Sequence, residues 1–120
     1  MIPIQELRIG NWVTNDNSGE QYQIQTGADL DKAVSRYSLI AITPELLATC
    51  GFAFQPHFKL WRKNKETTDA GPDMELNPDY WLMDFSHRNT GVEVKSLHHL
   101  QNLYFFLKGK ELPVNMEVAA

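Results

Sequence analysis

Residues 96–112, SLHHLQNLYFFLKGKEL, constrain this chain more than any other stretch. Leu97, Leu100, Tyr104 and Leu107 recur at i, i+3, i+7 and i+10, and Leu103 and Phe106 widen the stripe. Ser96 is placed to cap the first turn, Lys108 falls in the last turn, and Gly109 supplies a left-handed stop. The spacing predicts an amphipathic helix that needs an apolar surface to lie on. A sheet is the natural candidate, because the preceding ninety residues carry several short alternating runs.

Residues 11–14 and 20–26 read as a hairpin across the turn-rich NDNSGE (15–20), with Tyr22 and Ile24 alternating against Gln21, Gln23 and Gln25. TGADLDKAVSR (26–36) is polar and turn-like, and YSLIAI (37–42) is a third strand. TPELLATCG (43–51) is punctuated as a short helix: Thr43 caps it, Pro44 suits its first position and Gly51 its end. Leu46, Leu47 and Cys50 form its apolar side, which makes Cys50 a small core residue. Further strands are expected at 52–54, 57–63, 79–85 and 92–95. The segment 64–78 reads as a long polar loop in which MEL could add a short strand. SHRNTG (86–91) reads as a turn, Glu111–Val114 as an edge strand and 115–120 as a tail.

The expected fold class is α+β within one domain, 1–120. Residues 1–42 form a small antiparallel sheet. Residues 43–114 add the short helix, an antiparallel β-meander and the C-terminal helix packed on the sheet. The two parts are expected to share one core, since neither alone is large. Three tryptophans, four tyrosines and six phenylalanines supply that core without disulfide or metal.

Composition narrows function. The net charge of −4 argues against a general nucleic-acid binder, which needs a basic face to displace counterions from phosphates. A single cysteine fits a reducing compartment. MIPIQELRIG lacks the apolar centre of a secretion signal, and no run approaches the roughly 18 apolar residues of a membrane span. A cytoplasmic protein without membrane contact is the expectation.

No stretch carries a catalytic signature. His98 and His99 are adjacent, so on a helix they point about 100° apart, and one metal ion cannot readily take both. The expected arrangement has one imidazole bonded to a neighbouring strand and the other at the surface beside Asn102. Asp84, His87 and Arg88 are an acid–base group by residue type, with Ser86 beside them but no G-x-S-x-G elbow. Asp69, Asp73, Glu75 and Asp79 lack a calcium-loop pattern. No phosphate loop, dinucleotide fingerprint or zinc ligand set occurs, so neither a cofactor nor a metal is expected. Lys59, Trp61, Arg62, Lys63 and Lys65 form the one concentrated basic run. With Lys59, Trp61 and Lys63 on one strand face, it would suit single-stranded nucleic acid, by phosphate attraction and base stacking. The residues picked out for partner contact are therefore Lys59, Trp61, Arg62, Lys63, His98 and Asn102.

Three stretches carry a resemblance: ELRIGNWV (6–13), ITPELLATCGF (42–52) and VKSLHHLQNLYFFLKGKEL (94–112). They are similar to a group of small proteins of Bacteroidetes genomes, phages and mobile elements. That group's pattern runs "LRIGN-V", then "LTeE-L-k-GF", then "iKYVHQLQNLYFALTGEEL". The resemblance covers roughly half the chain and departs at Ser96, Leu97, His99, Phe106 and Lys108, among other positions. His98, Gln101 and Asn102 occupy matching positions. The group has no assigned activity, so the resemblance implies a phage or mobile-element context rather than a chemistry. The IGNWV…YQI start also resembles the first hairpin of an SH3-like barrel. The expected function is that of a non-enzymatic protein-binding protein acting on a host or phage protein. One version is an anti-CRISPR-like inhibitor of a defence nuclease, with the acidic surface filling a basic groove. The alternatives are a nucleic-acid accessory protein using the basic strand, and a small hydrolase or metal enzyme using Asp84, His87 and His98.

Overall fold

The computed structural model describes residues 6–16, 18–28, 37–57, 59–64, 72–84 and 88–115. They form an α+β fold with two antiparallel sheets, a short helix and a C-terminal helix. The first sheet has the order β2–β1–β3, with β1 at Trp12–Asn15, β2 at Gln21–Gln23 and β3 at Tyr37–Ser38. Its β1–β2 pairing is the expected hairpin, with Val13 opposite Tyr22. Among the described residues this sheet is three strands wide.

The chain then enters α1 (Pro44–Thr49), capped by the Thr43 side chain, which accepts from Leu46 N. The second sheet is a five-strand meander: β4 (Phe52–Gln55), β5 (Leu60–Asn64), β6 (Pro72–Leu76), β7 (Trp81–Met83) and β8 (Asn89–Glu93), in sequence order. Consecutive order is what short hairpin connections produce. Helix α2 (Leu97–Lys108) follows, with Ser96 Oγ accepting from His99 N and Gly109 in the left-handed region at φ 71°.

Several expected boundaries move, each for a local reason. Lys59 has φ 54° and its N–H bonds Gln55 O, so it closes a turn, and β5 begins only at Leu60. Tyr80 has φ 67° and sits in a turn organised by the Asn77 side chain, which accepts from Asp79 N and Trp81 N; β7 therefore starts at Trp81. Much of the expected loop at 64–78 is the central strand β6, with Met74, Glu75 and Leu76 buried. The expected turn at 86–91 ends early because β8 starts at Asn89, and residues 85–87 lie outside the described residues. No strand forms over 111–115.

The buried apolar residues form two clusters, and Trp12 of β1 packs against the larger one. The larger joins Leu46, Leu47 and Cys50 of α1, Met74, Leu76 and Leu82 of the meander, and Leu97, Leu100 and Tyr104 of α2. The smaller holds Leu7, Val13, Ile24 and Tyr37 beneath the first sheet. Helix α2 belongs to the larger cluster by its apolar face and reaches the N-terminal segment by its polar groups.

Candidate functional site

The basic strand does not survive as a surface. Strand alternation puts Trp61 and Lys63 on one face of the meander and Arg62 on the other. The Trp61 face is the one that α2 covers: Trp61 packs against the larger cluster and meets Phe54 edge-on, with ring centroids 5.3 Å apart. Lys63 is only 5% exposed, and its ammonium lies 5.9 Å from the centroid of the Tyr104 ring. Its stem is buried against apolar neighbours while the charge meets an aromatic face. Arg62 is held by the buried Glu75 carboxylate at 3.2 Å. Lys59 is exposed, but it belongs to the turn. Lys59, Trp61, Arg62 and Lys63 therefore form no common face, and Lys65 lies outside the described residues. The strand carrying this run is internal to the sheet, and the face bearing Trp61 and Lys63 is the one packed on the larger cluster.

His98 and Asn102, the other expected contact residues, are committed within the fold. Residues 8–11 form a turn closed by Asn11 N donating to Arg8 O at 3.1 Å, with Gly10 at φ 101°. That value favours glycine, and a Cβ there would lie 3.2 Å from Glu111 Oε1. The buried Asn11 side chain accepts from Arg8 N at 2.8 Å and donates to Asn102 Oδ1 at 2.8 Å. Asn102 Nδ2 donates to Glu6 O at 2.7 Å. Gln101, 2% exposed, accepts from Trp12 N at 2.8 Å and donates to Gly10 O at 2.9 Å. Arg8 lies over the Phe105 ring at 4.5 Å, donates to Gln101 O at 3.2 Å and pairs with Glu111 at 2.7 Å. These bonds fasten residues 6–12 to α2. The stretches 6–13 and 94–112 are thus the two sides of one junction.

The histidines divide as expected in number but not in partner. His98 is 2% exposed; its Nδ1 meets Ser96 Oγ at 3.1 Å and its Nε2 meets Glu6 Oε1 at 3.2 Å. The partner is thus the N-terminal segment rather than a strand. His99 is half-buried, and burial together with the neighbouring His98 holds its pKa below the usual value. Both histidines line a groove of about 740 Å³ with Leu39, Trp81, Glu93 and Lys95.

Little else gathers chemistry. Asp84 is exposed, accepts from Arg88 N and lines a separate 260 Å³ cavity beside Leu107. His98 and Leu107 are nine positions apart on α2, or about 14 Å along its axis, so Asp84 and His98 do not share a pocket. Ser86 and His87 lie outside the described residues, as does Asp69. Burial pushes the Cys50 thiol up to about 11, which leaves it protonated and inert at neutral pH. Among the described residues, no three His, Cys, Asp or Glu side chains are grouped to hold a metal, and no helix is long and apolar enough to cross a membrane.

The end of α2 departs from its expected stripe. Phe106 is 84% exposed, and Leu107 and Phe105 are also exposed. The buried face runs instead through Leu97, His98, Leu100, Gln101 and Tyr104. Set against protein-family models, curated proteins and solved structures, the chain matches none.

Proposed function

We propose that this chain is a non-enzymatic protein-binding protein of phage or mobile-element origin that acts in the cytoplasm on a basic surface of a host or phage protein. The observation that carries the reading is that the described residues of its one basic run share no face: Lys63 is buried, Arg62 is paired with Glu75, and Lys59 sits in a turn. The Arg62–Glu75 pair cancels its own charge and Lys63 is buried, so this strand adds little positive charge to the surface of a chain whose net charge is −4. An acidic surface of this kind is repelled by nucleic acid and attracted to proteins that bind it. The nucleic-acid alternative loses the strand face on which it rested.

The specific version is an inhibitor of a bacterial defence nuclease, anti-CRISPR-like in action. The acidic surface would fill the enzyme's nucleic-acid groove and compete with substrate by charge complementarity. The test is a phage-plating assay in strains carrying individual defence systems, with and without the chain. Restored plating in one system, and loss of nucleic-acid binding by that system's purified nuclease, are the expected results. Full defence in every strain would remove the inhibitor version.

A further inference from the structure

Lys63 is a buried ammonium to which, among the described residues, no carboxylate and no hydrogen-bond acceptor is matched. Its residue is 5% exposed, on the central strand β5. The Tyr104 ring centroid lies 5.9 Å from Nζ, at the outer limit of a cation–π contact. Nor does Lys63 close helix α1. The carbonyls of Leu47, Ala48 and Thr49 already accept from Cys50 N, Gly51 N and Asn115 N. A desolvated charge without a counter-charge is costly, and an apolar side chain would pack there at least as well. Packing alone therefore does not account for a lysine at this position.

The ammonium opens on a groove. Lys63 lines a space of about 520 Å³ together with Ala48, Cys50, Gly51, Pro113 and Val114. Nζ approaches the backbone so closely that a Cβ on Gly51 would lie 3.1 Å from it. Burial raises the Cys50 thiol, while Thr49 and the Lys63 charge pull it back, which sets ammonium and thiol side by side in the wall. No acidic residue lines this groove, whereas Glu6 and Glu93 line the one beside His98.

We propose that this groove binds a small organic carboxylate, its charged group paired with Lys63 Nζ and its apolar tail lying along Ala48, Pro113 and Val114. The missing counter-charge points to an anion, because a buried cation gains most from a partner that shares its low-dielectric surroundings. One cation selects a single negative charge over the double charge of phosphate. The apolar wall selects a hydrocarbon tail over a bare ion. The site lies apart from the acidic surface on which the functional proposal rests, so the two stand or fall separately.

The test is an NMR titration of the full chain with sodium butyrate at constant ionic strength, with propylamine and inorganic phosphate as controls. One ion pair and a short tail give a dissociation constant of roughly 1–10 mM, so the titration runs to about 50 mM. The expected result is saturable amide shifts over 48–51 and at Lys63 and Val114 with butyrate, and none with propylamine. Lys63→Met should weaken butyrate at least tenfold. Ala48→Glu, at an exposed position on the rim, should weaken it severalfold by repulsion and serves as a second variant whose fold is not at risk. Cys50 is the chain's one cysteine, so its alkylation by iodoacetamide reports on the same groove and should slow as butyrate binds. Absence of a saturable response in the wild type would overturn the proposal. Equal affinity in wild type and Lys63→Met would place the anion elsewhere and overturn it too. Phosphate bound as tightly as butyrate would refute the carboxylate assignment.

Discussion

Replacing Gln101 with methionine tests whether the junction between residues 6–12 and α2 holds the two clusters together. Methionine keeps the length and most of the volume of glutamine, so the change removes polar bonds without opening a cavity. Trp12 N loses its acceptor at 2.8 Å. Gly10 O loses a donor at 2.9 Å but keeps Gln23 Nε2 at 3.2 Å. An unpaired buried N–H costs about 1–3 kcal/mol, and the half-satisfied carbonyl adds a few tenths. Burial of the thioether offsets part of this, at about 0.8 kcal/mol per CH₂ equivalent. The net expectation is a loss of about 2 kcal/mol, a large share of the 5–15 kcal/mol typical of a domain. Urea unfolding followed by tryptophan fluorescence reads this as a lower midpoint at unchanged slope. Amide exchange should accelerate in β1 and β2 before it does in the meander, because the smaller cluster depends on this junction. A stability change under about 0.5 kcal/mol would show that water or rearrangement satisfies these groups, and the junction argument would fail.

Three further outcomes follow from the same structure. Gly109→Ala should lower stability by about 1 kcal/mol: its φ of 71° is left-handed and nothing lies within 4 Å of an added Cβ, so the penalty is conformational alone, readable as a lower Tm. His99 has a folded-state pKa below its unfolded value, so the unfolded chain binds more protons as pH falls through about 6.5. Its contribution is present above that pH and lost below it, and His99→Gln should flatten the pH dependence of the urea midpoint between pH 7.5 and 5.5 relative to wild type. Lys63→Met should leave stability within about 1 kcal/mol of wild type, because the stem is already buried and an apolar group replaces a desolvated charge. Lys63→Glu should destabilise by several times as much; equal tolerance of both would place Lys63 in solvent.

Local signals carried the helices and failed at the faces of the sheet. Thr43, Pro44, Ser96 and Gly109 do in the structure what their residue types favour, because caps are decided by neighbours within one turn. The apolar stripe of α2 was legible through Tyr104 and misleading beyond it. Leu107 and Phe106 fit the period but lie past the edge of the surface that α2 covers. Gln101 was visible in principle, since it falls between Leu97 and His98 on the wheel, inside the buried arc. Its partners, Trp12 N and Gly10 O, are backbone groups ninety residues away, and no local pattern announces them. Strand β6 hid for a related reason. Glu75 makes its sequence look polar, yet Arg62 across the ladder neutralises it. The same pairing took Arg62 out of the expected basic surface. A basic run on a central strand can be sorted into inward and outward only once its neighbours are known, and those are set by tertiary pairing.

The most direct test of the functional account is a salt-titrated pull-down with the full chain, from lysate of a host that carries a defence system, with and without nuclease treatment. The account predicts a stoichiometric partner with a nucleic-acid-binding groove, retained after nuclease, released as salt rises and displaced by its own substrate. Recovery of nucleic acid itself, lost on nuclease treatment and weakened by Lys59→Glu and Trp61→Ala, would contradict the account and return the function to the basic strand.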